Sequence, residues 1–258
     1  MPAPNERPPL RLGCVKYLNA RPLVRGWRDE VRFDHPSVLC RELALGELDV
    51  ALVSSFEYLR HPVYSVVDGV AIASNGAVYS VVLAHPGALE DLHEVIVDPA
   101  SETSVNLLRC LLSKRGCFPR FVASGALSAT RGQLFIGDQA IRFREQVDER
   151  IEILDLGADW KAQTGLPFVY ALWLVRPGYP DRENLAQALR AIAHANLVNL
   201  NPLLAEQPES RRAFCEFYFR DCLRFSFAKE EKQGFQEFAK QCATQKLLPS
   251  VPPPPALI

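Results

Sequence analysis

Apolar residues recur along the chain in short runs, and the spacing of these runs predicts alternating strands and helices. The runs at 12–15 and 49–53 have strand length, and the second is apolar almost throughout, as in strands covered on both faces. Between them, an amphipathic stretch over 37–45 predicts a helix that Ser37 caps and Gly46 ends. The chain therefore opens with a strand, a helix and a second buried strand.

The rest of the chain first repeats this alternation and then becomes helical. Further strands are predicted over 70–73, 78–84, 94–98, 121–124, 133–137, 153–156 and 168–175. Three helical patterns follow, over 183–197, 208–219 and 229–246. The proline-rich end cannot continue a helix, and it is either a free extended tail or a strap along the surface.

Extended crossings near 80–90 and 168–175 separate the strands into two groups. This arrangement predicts an α/β fold of two lobes. Residues 1–84 and 176–258 form a discontinuous first lobe, and residues 85–175 form the second. A cleft between the lobes is the expected ligand site.

Polar side chains gather where the predicted strands end, which is where α/β sheets bind ligands. The candidates are Tyr17, Asn19, Ser37, Ser54, Ser55, Ser80, Thr103, Ser104 and Asp138. Most are neutral, and hydroxyls beside a helix N-terminus suit a carboxylate, so Thr103 and Ser104 form the best anion site. Taken singly, each is equally explained as a helix cap or turn residue, including Asn19 and Asp138.

The charge and composition of the chain indicate that its binding partner is a small molecule. Lys plus Arg number 29 against 30 Asp plus Glu, and no long block of like charge predicts a nucleic-acid or membrane surface. The sequence contains no G-x-S-x-G motif, and its five histidines are scattered, which argues against a serine hydrolase and a metal site. Seven cysteines without a C-x-x-C motif indicate reduced thiols, and neither an export signal nor a membrane span is recognisable. We therefore expect a cytoplasmic protein.

Several segments together resemble the chorismate dehydratase family, which acts in the futalosine route to menaquinone. They are VKYLNARPL at 15–23, GELDVALVSSFEYLR at 46–60, ASNGAVYSVVL at 73–83, ASETSVNLLRCLL at 100–112, LFIGDQA at 134–140 and LGADWKAQTGLPFVYALW at 156–173. The resemblance runs from about residue 11 to residue 248. Each motif alone is weak, but the set is specific.

The resemblance implies a two-lobed fold like that of type II periplasmic binding proteins, with two crossing strands and a ligand cleft between the lobes. It implies a lyase that removes water from chorismate, giving 3-[(1-carboxyvinyl)oxy]benzoate without a metal or organic cofactor. Asn19 would be the residue closest to the chemistry, and Thr103 and Ser104 would bind a carboxylate. The other substrate-binding residues would be Tyr17, Ser37, Ser54, Ser55, Ser80, Gly137 and Asp138. The group that takes the proton from ring C3 stays open between a substrate carboxylate and Asp138.

Several features depart from the family pattern. Lys16 and Ala20 flank the loop where smaller or more hydroxylated residues are more typical, Glu102 stands where the family often has a basic residue, and the proline-rich tail is unusual. We expect Glu102 to face solvent, because an inward carboxylate would weaken the anion site. Two alternative functions remain: a non-catalytic cytosolic protein that binds a small carboxylate on the same fold, and the sister lyase acting on cyclic futalosine. The sister family opens on a loop resembling S-P-C-P-N-D, which the Tyr17-Leu18-Asn19 loop does not match.

Overall fold

The computed structural model describes residues 9–98 and 101–258 and has an α/β architecture built on two sheets. Residues 1–8 lie outside the described residues, and so the prediction that the N-terminus carries no export signal falls mostly outside them. Residues 99–100, in the loop before the helix that carries Thr103, also lie outside. Strands and helices are numbered along the chain. The first sheet has six strands, in the order Ala256–Leu257 (β11), Ser65–Ser74 (β4), Phe168–Val175 (β10), Val50–Ser54 (β3), Leu12–Val15 (β1) and Val31–Asp34 (β2). The second has five, in the order Arg120–Val122 (β7), Glu94–Ile96 (β6), Arg131–Ile136 (β8), Val81–His85 (β5) and Glu152–Asp155 (β9).

Ten α-helices cover the sheets in the described part of the chain. They are Arg21–Val24 (α1), Pro36–Ala44 (α2), Ser55–Arg60 (α3), Glu102–Lys114 (α4), Gly137–Gln146 (α5), Leu156–Thr164 (α6), Arg182–Val198 (α7), Asn201–Ala205 (α8), Glu209–Phe217 (α9) and Lys229–Thr244 (α10). Short 3₁₀ turns span Leu18–Ala20 and Leu89–Asp91, and a π-helical turn spans Tyr218–Cys222. None of the helices in the described residues is both long enough and apolar enough to cross a membrane.

The centre of the first sheet is fully buried, as its continuous apolar runs predict. Every residue of β1, β3 and β10 is buried. Strand β1 pairs in parallel with both β2 and β3, so the three strands end at the same edge of the sheet. The polar residues that follow these strands are therefore brought together there.

Two strands belong to the opposite sheet from the one that the predicted lobe limits give them. Strand β5, predicted in the first lobe, pairs with β8 and β9 of the second sheet. Strand β10, predicted in the second lobe, pairs with β3 and β4 of the first sheet. An apolar run indicates burial on both faces, but it does not indicate which sheet supplies the hydrogen-bonding neighbours. The chain changes sheets over 75–80 and returns between β9 and β10.

The proline-rich end is a strap rather than a free tail. Strand β11 extends the first sheet by pairing in parallel with β4. The Arg190 guanidinium donates to the carbonyl of Ile258 at 2.9 Å, and the Tyr58 hydroxyl donates to that of Pro253 at 3.3 Å. The strap covers the backbone edge that β4 would otherwise expose.

The Asp155 carboxylate joins the two segments that connect the sheets. Its oxygens accept hydrogen bonds from the backbone N–H groups of Val78 at 3.0 Å and Tyr79 at 2.8 Å. Oδ1 also accepts from Gly157 and Ala158, at 3.0 and 3.1 Å, and so caps α6. Tyr79 has a φ of 67°, which a non-glycine residue adopts only when its surroundings hold it there. One partly buried side chain thus fixes both crossings.

Asp49 holds the opposite end of the first sheet through two arginines. Its Oδ1 lies 2.8 Å from Arg11 Nη2 and 2.7 Å from Arg176 Nε. Burial alone would raise the pKa of this carboxyl, but the hydrogen bonds from Arg11 and Arg176 outweigh it and lower the pKa to about 2. A lowered folded-state pKa means that the ionised form stabilises the fold.

We expect the stabilisation by Asp49 to be present near neutral pH and to disappear in acid. The group is ionised in the folded and unfolded chain above about pH 5, and its contribution of about 2 kcal/mol is lost progressively as the pH falls from about 5 to about 1, below the folded-state pKa. Urea unfolding of wild type and Asp49→Asn should therefore give free energies of unfolding that differ clearly at pH 6 and much less at pH 2.5, where only about a third of the Asp49 contribution is left. Asp148→Asn, which removes an exposed partner of Arg150, is the control and should change little at either pH. An Asp49→Asn deficit that is equal at both pH values contradicts this assignment.

Candidate active site

A cavity lies between the two sheets. Seven of the predicted site residues line it: Tyr17, Asn19, Ser54, Ser80, Thr103, Ser104 and Gly137. The remaining lining residues are Val15, Pro36, Ile72, Val78, Val81, Ser101, Ile136, Tyr170 and Ala171. The cavity thus combines strand ends of both sheets with the start of α4.

Asn19 is not a helix cap. Helix α1 begins at Arg21 with Ala20 before it and no side-chain capping bond, while Asn19 lies within the 3₁₀ turn. Its Oδ1 is buried and accepts no hydrogen bond from the described residues. A buried amide oxygen without a partner is costly, so its presence at the cavity favours a role toward a ligand.

Ser80 is positioned by a residue that the sequence did not single out. Tyr218 is fully buried, and its hydroxyl donates to Ser80 Oγ at 2.7 Å. Burial raises the pKa of Tyr218, and hydrogen bonding to Ser80 partly opposes that rise. Tyr218 lies in a helical pattern of the C-terminal region, where nothing local distinguishes it from a core aromatic residue. Only the tertiary fold brings it to the cavity.

Thr103 connects the first turn of α4 to the start of α3. Its Oγ1 lies 2.5 Å from Ser54 Oγ and accepts from the backbone N–H of Phe56 at 3.1 Å. Ser55 is fully buried and does not line the cavity, because its hydroxyl donates to the Val169 carbonyl at 2.7 Å. Of these three hydroxyl-bearing residues, Ser54 and Thr103 line the cavity, whereas Ser55 forms a hydrogen bond to strand β10.

Ser101 adds a second unpartnered polar atom. It precedes α4, its side chain makes no capping bond, and its Oγ is buried without a hydrogen-bond partner among the described residues. It lines the cavity beside Thr103 and Ser104. The N–H groups of a helix start are free of intrahelical partners, so an anion bound here would meet several donors.

Glu102 does not simply face solvent, contrary to the expectation above. It is half-buried, and its Oε1 lies 2.5 Å from Arg60 Nη1. The same guanidinium lies 2.5 Å from Glu57, whose side chain is 1% exposed. Burial raises the pKa of Glu102, and Arg60 opposes this rise. Arg60 therefore offsets the negative charge beside the predicted anion site.

Ser37 and Asp138 do not line the cavity. Helix α2 starts at Pro36, which suits a first helical position, so His35 takes the capping position and Ser37 points to solvent. The Asp138 carboxylate accepts a hydrogen bond from the backbone N–H of Leu18 at 3.0 Å. It lines a separate groove and holds the loop that carries Asn19.

Gly137 is required by two independent constraints. Its φ is 53°, and a Cβ placed there would lie 2.8 Å from Cδ1 of the Tyr17 ring. Its N–H donates to the Ser80 carbonyl at 2.7 Å. The glycine thus allows the Tyr17 loop of the first sheet to approach the second sheet closely.

The lining of the cavity is electrically neutral. Among the described residues that line it there is no Lys, Arg, His, Asp or Glu. Burial, with the Asp98 and Asp138 carboxylates nearby, raises the pKa of Tyr17 to about 12, and burial raises that of Tyr170 well above its usual value. Both phenols are protonated near neutral pH. The site can orient a ligand and donate or accept hydrogen bonds, but these side chains offer no strong base.

Solved structures with a similar fold include binding proteins. A protein from Archaeoglobus fulgidus superposes with a TM-score of 0.70 and 18% identity, covering 93% of this chain and 98% of that one. The periplasmic aliphatic sulphonate binding protein SsuA from Escherichia coli gives a TM-score of 0.63 at 14% identity, covering 94% of this chain and 89% of its own. At these identities the likeness establishes the fold, and it confirms the predicted binding-protein-like architecture.

Sequence comparison establishes the family. The profile of the menaquinone biosynthesis family matches residues 10–244. The chorismate dehydratase of Thermus thermophilus is 34% identical over 259 residues, which cover 90% of this chain and 94% of that protein. The chorismate dehydratase of Campylobacter jejuni is 29% identical, covering 90% of this chain and 92% of its own. The chain therefore belongs to the menaquinone biosynthesis family, and it is similar over nine tenths of its length to both of these chorismate dehydratases.

Proposed function

We propose that this protein is a chorismate dehydratase, a hydro-lyase that converts chorismate to 3-[(1-carboxyvinyl)oxy]benzoate on the futalosine route to menaquinone. The observation that carries the proposal is the neutral cavity with two unpartnered polar atoms, Asn19 Oδ1 and Ser101 Oγ. The 34% identity to a named chorismate dehydratase, over nine tenths of the chain, supports it.

The reaction requires the protein to position the substrate, and it does not require a strongly acidic or basic side chain. Loss of the C3 hydrogen and the C4 hydroxyl makes the ring aromatic, which supplies the driving force. Thr103 and Ser104, with the first N–H groups of α4, bind one substrate carboxylate. The Asn19 amide orients the C4 hydroxyl and donates a hydrogen bond to it as it leaves. The apolar lining excludes water, which strengthens each of these contacts.

A carboxylate of the substrate takes the C3 proton. Its oxygen forms the new O–H bond, the C3–H electron pair becomes a ring double bond, and the C4–O bond breaks. The carboxylic acid formed in this way returns a proton to the departing C4 oxygen, which leaves as water. This assignment is supported by the lack of an ionisable base among the described lining residues and by the engagement of Asp138 with the Leu18 N–H.

Incubation of the protein with chorismate tests the function directly. The expected result is stoichiometric conversion to the enolpyruvyl benzoate, followed by chromatography and mass spectrometry. Binding of chorismate without turnover would overturn the enzyme assignment and favour a small-carboxylate-binding protein, a role suggested by the fold shared with SsuA. Activity on cyclic futalosine alone would identify the sister lyase.

A cytoplasmic setting follows from the same proposal. All seven cysteines are free and buried, which agrees with a reducing compartment. The substrate is a small dicarboxylate, and no metal or organic cofactor takes part in the proposed steps.

We expect Asn19→Ala to lower kcat by about a hundredfold or more with little change in KM, because a positioned donor acts mainly in the transition state. The control is Asn184→Ala, which removes an exposed amide on α7 and should leave turnover unchanged. Steady-state kinetics on chorismate measure both. Full activity of Asn19→Ala would contradict its assignment.

Variants of Asp138 test whether this residue positions the Asn19 loop or acts as the base that removes the C3 proton. Asp138→Asn keeps an oxygen that can accept the Leu18 N–H, so we expect kcat within about threefold of wild type. Asp138→Ala leaves that N–H without its partner, and we expect a loss of about tenfold as the Asn19 loop loosens. If Asp138→Asn abolishes turnover while Asn19→Ala retains it, the base is Asp138 and the substrate-carboxylate step is wrong.

A further inference from the structure

Lys16 and His35 form a pair at the edge of the first sheet where strands β1 and β2 end. Lys16 directly follows β1 and His35 directly follows β2, and the two parallel strands end with Val15 opposite Asp34. Lys16 Nζ lies 3.0 Å from His35 Nε2. Their chain neighbours, Tyr17 and Pro36, both line the cavity.

The charge of Lys16 is not neutralised by this contact. An ammonium group has only donors, so the imidazole must accept through an unprotonated Nε2, and a neutral imidazole leaves the positive charge in place. Asp34, the acid next to His35 in the chain, is engaged with the His35 N–H at 2.8 Å and lies 3.5 Å from Arg32. Lys16 therefore presents an exposed, oriented cation whose hydrogen-bond partner is neutral.

The cavity beside this pair lacks such a charge. Its described lining residues are neutral, and the start of α4 offers donors for one carboxylate. A dicarboxylate that enters loses hydration at both charged groups, which is costly unless each finds a partner. A cation at the edge, in addition to α4, meets that requirement.

We propose that Lys16, oriented by His35, binds the second carboxylate of the substrate at the opening of the cavity and attracts the dianion toward it. This inference rests on the proposed function, because it takes chorismate as the dicarboxylate. It also gives a role to a lysine that departs from the family pattern. Lys16 is a binding residue, and His35 is a positioning residue that acts through it.

The test measures kcat and KM for chorismate at ionic strengths from about 0.02 to about 0.5 M, a range over which screening removes attraction between exposed charges. We expect Lys16→Gln to raise KM about tenfold, as for loss of a charge-assisted hydrogen bond, with kcat within about twofold. The salt dependence of kcat/KM should become shallower than in wild type.

Lys114→Gln is the matched control because it removes the same charge. Lys114 is exposed at the last position of α4, on the order of 18 Å along the helix from its start. We expect its kinetics and salt dependence to equal those of wild type. Lys16→Arg keeps the charge and should restore most of the affinity.

His35 variants test the positioning step. The His35 side chain makes no capping bond to α2, so its replacement leaves the helix start intact. We expect His35→Leu to raise KM about threefold without changing kcat, and His35→Gln, whose amide oxygen can accept from Lys16, to stay near wild type.

Each outcome assigns a cause. Wild-type turnover with an unchanged KM and salt slope in Lys16→Gln overturns the role of Lys16 and leaves the proposed function intact. An equal change in Lys16→Gln and Lys114→Gln also overturns it, because a general charge effect then suffices. Absence of chorismate turnover by wild type overturns the proposed function and this inference with it.

Discussion

The four backbone hydrogen bonds accepted by the Asp155 carboxylate are the interaction on which the arrangement of the site depends. They join the segment that leaves the first sheet, at Val78 and Tyr79, to the helix that leads back to it. Since the cavity lies between the sheets, its width follows from how these two connections are held. The left-handed backbone at Tyr79 stands directly before Ser80, so the same bonds also direct Ser80 toward Tyr218. A single partly buried acid thus links the topology of the chain to the geometry of the cavity.

A second set of contacts joins the sheets on the far side of the cavity. Thr103 accepts from the start of α3, and Arg60 bridges Glu57 of α3 and Glu102 of α4. Charge is present here but is paired outside the cavity, which leaves hydroxyls and N–H groups to face inward. In a site closed to water, neutral donors interact strongly with a bound anion without the desolvation cost of a buried ion pair.

The local sequence was sufficient for residues whose position follows from a strand end. The loop after β1, Ser54 at the end of β3 and the start of α4 all reach the cavity, because parallel strands bring their carboxyl ends together. Ser37 is not the cap of α2 and does not line the cavity, because a proline one residue earlier sets the helix start. Tyr218 could not be found, since its contact with Ser80 spans 138 residues of chain. The predicted lobe limits assign β5 and β10 each to the other sheet for a related reason, because strand pairing depends on residues far apart in the chain.

The close approach of Gly137 to Tyr17 shows why a neutral cavity can still be selective. The second sheet meets the Tyr17 ring at a distance that excludes even a methyl group at position 137. Such contact fixes the Tyr17–Asn19 loop, and the adjacent Asp138 holds the backbone of the same loop at Leu18. An amide held in this way needs no charge to discriminate between orientations of a hydroxyl, because its donor and acceptor directions are set before the ligand arrives. For a reaction driven by aromatisation, prior alignment of the C3–H and C4–O bonds is the contribution left for the protein to make.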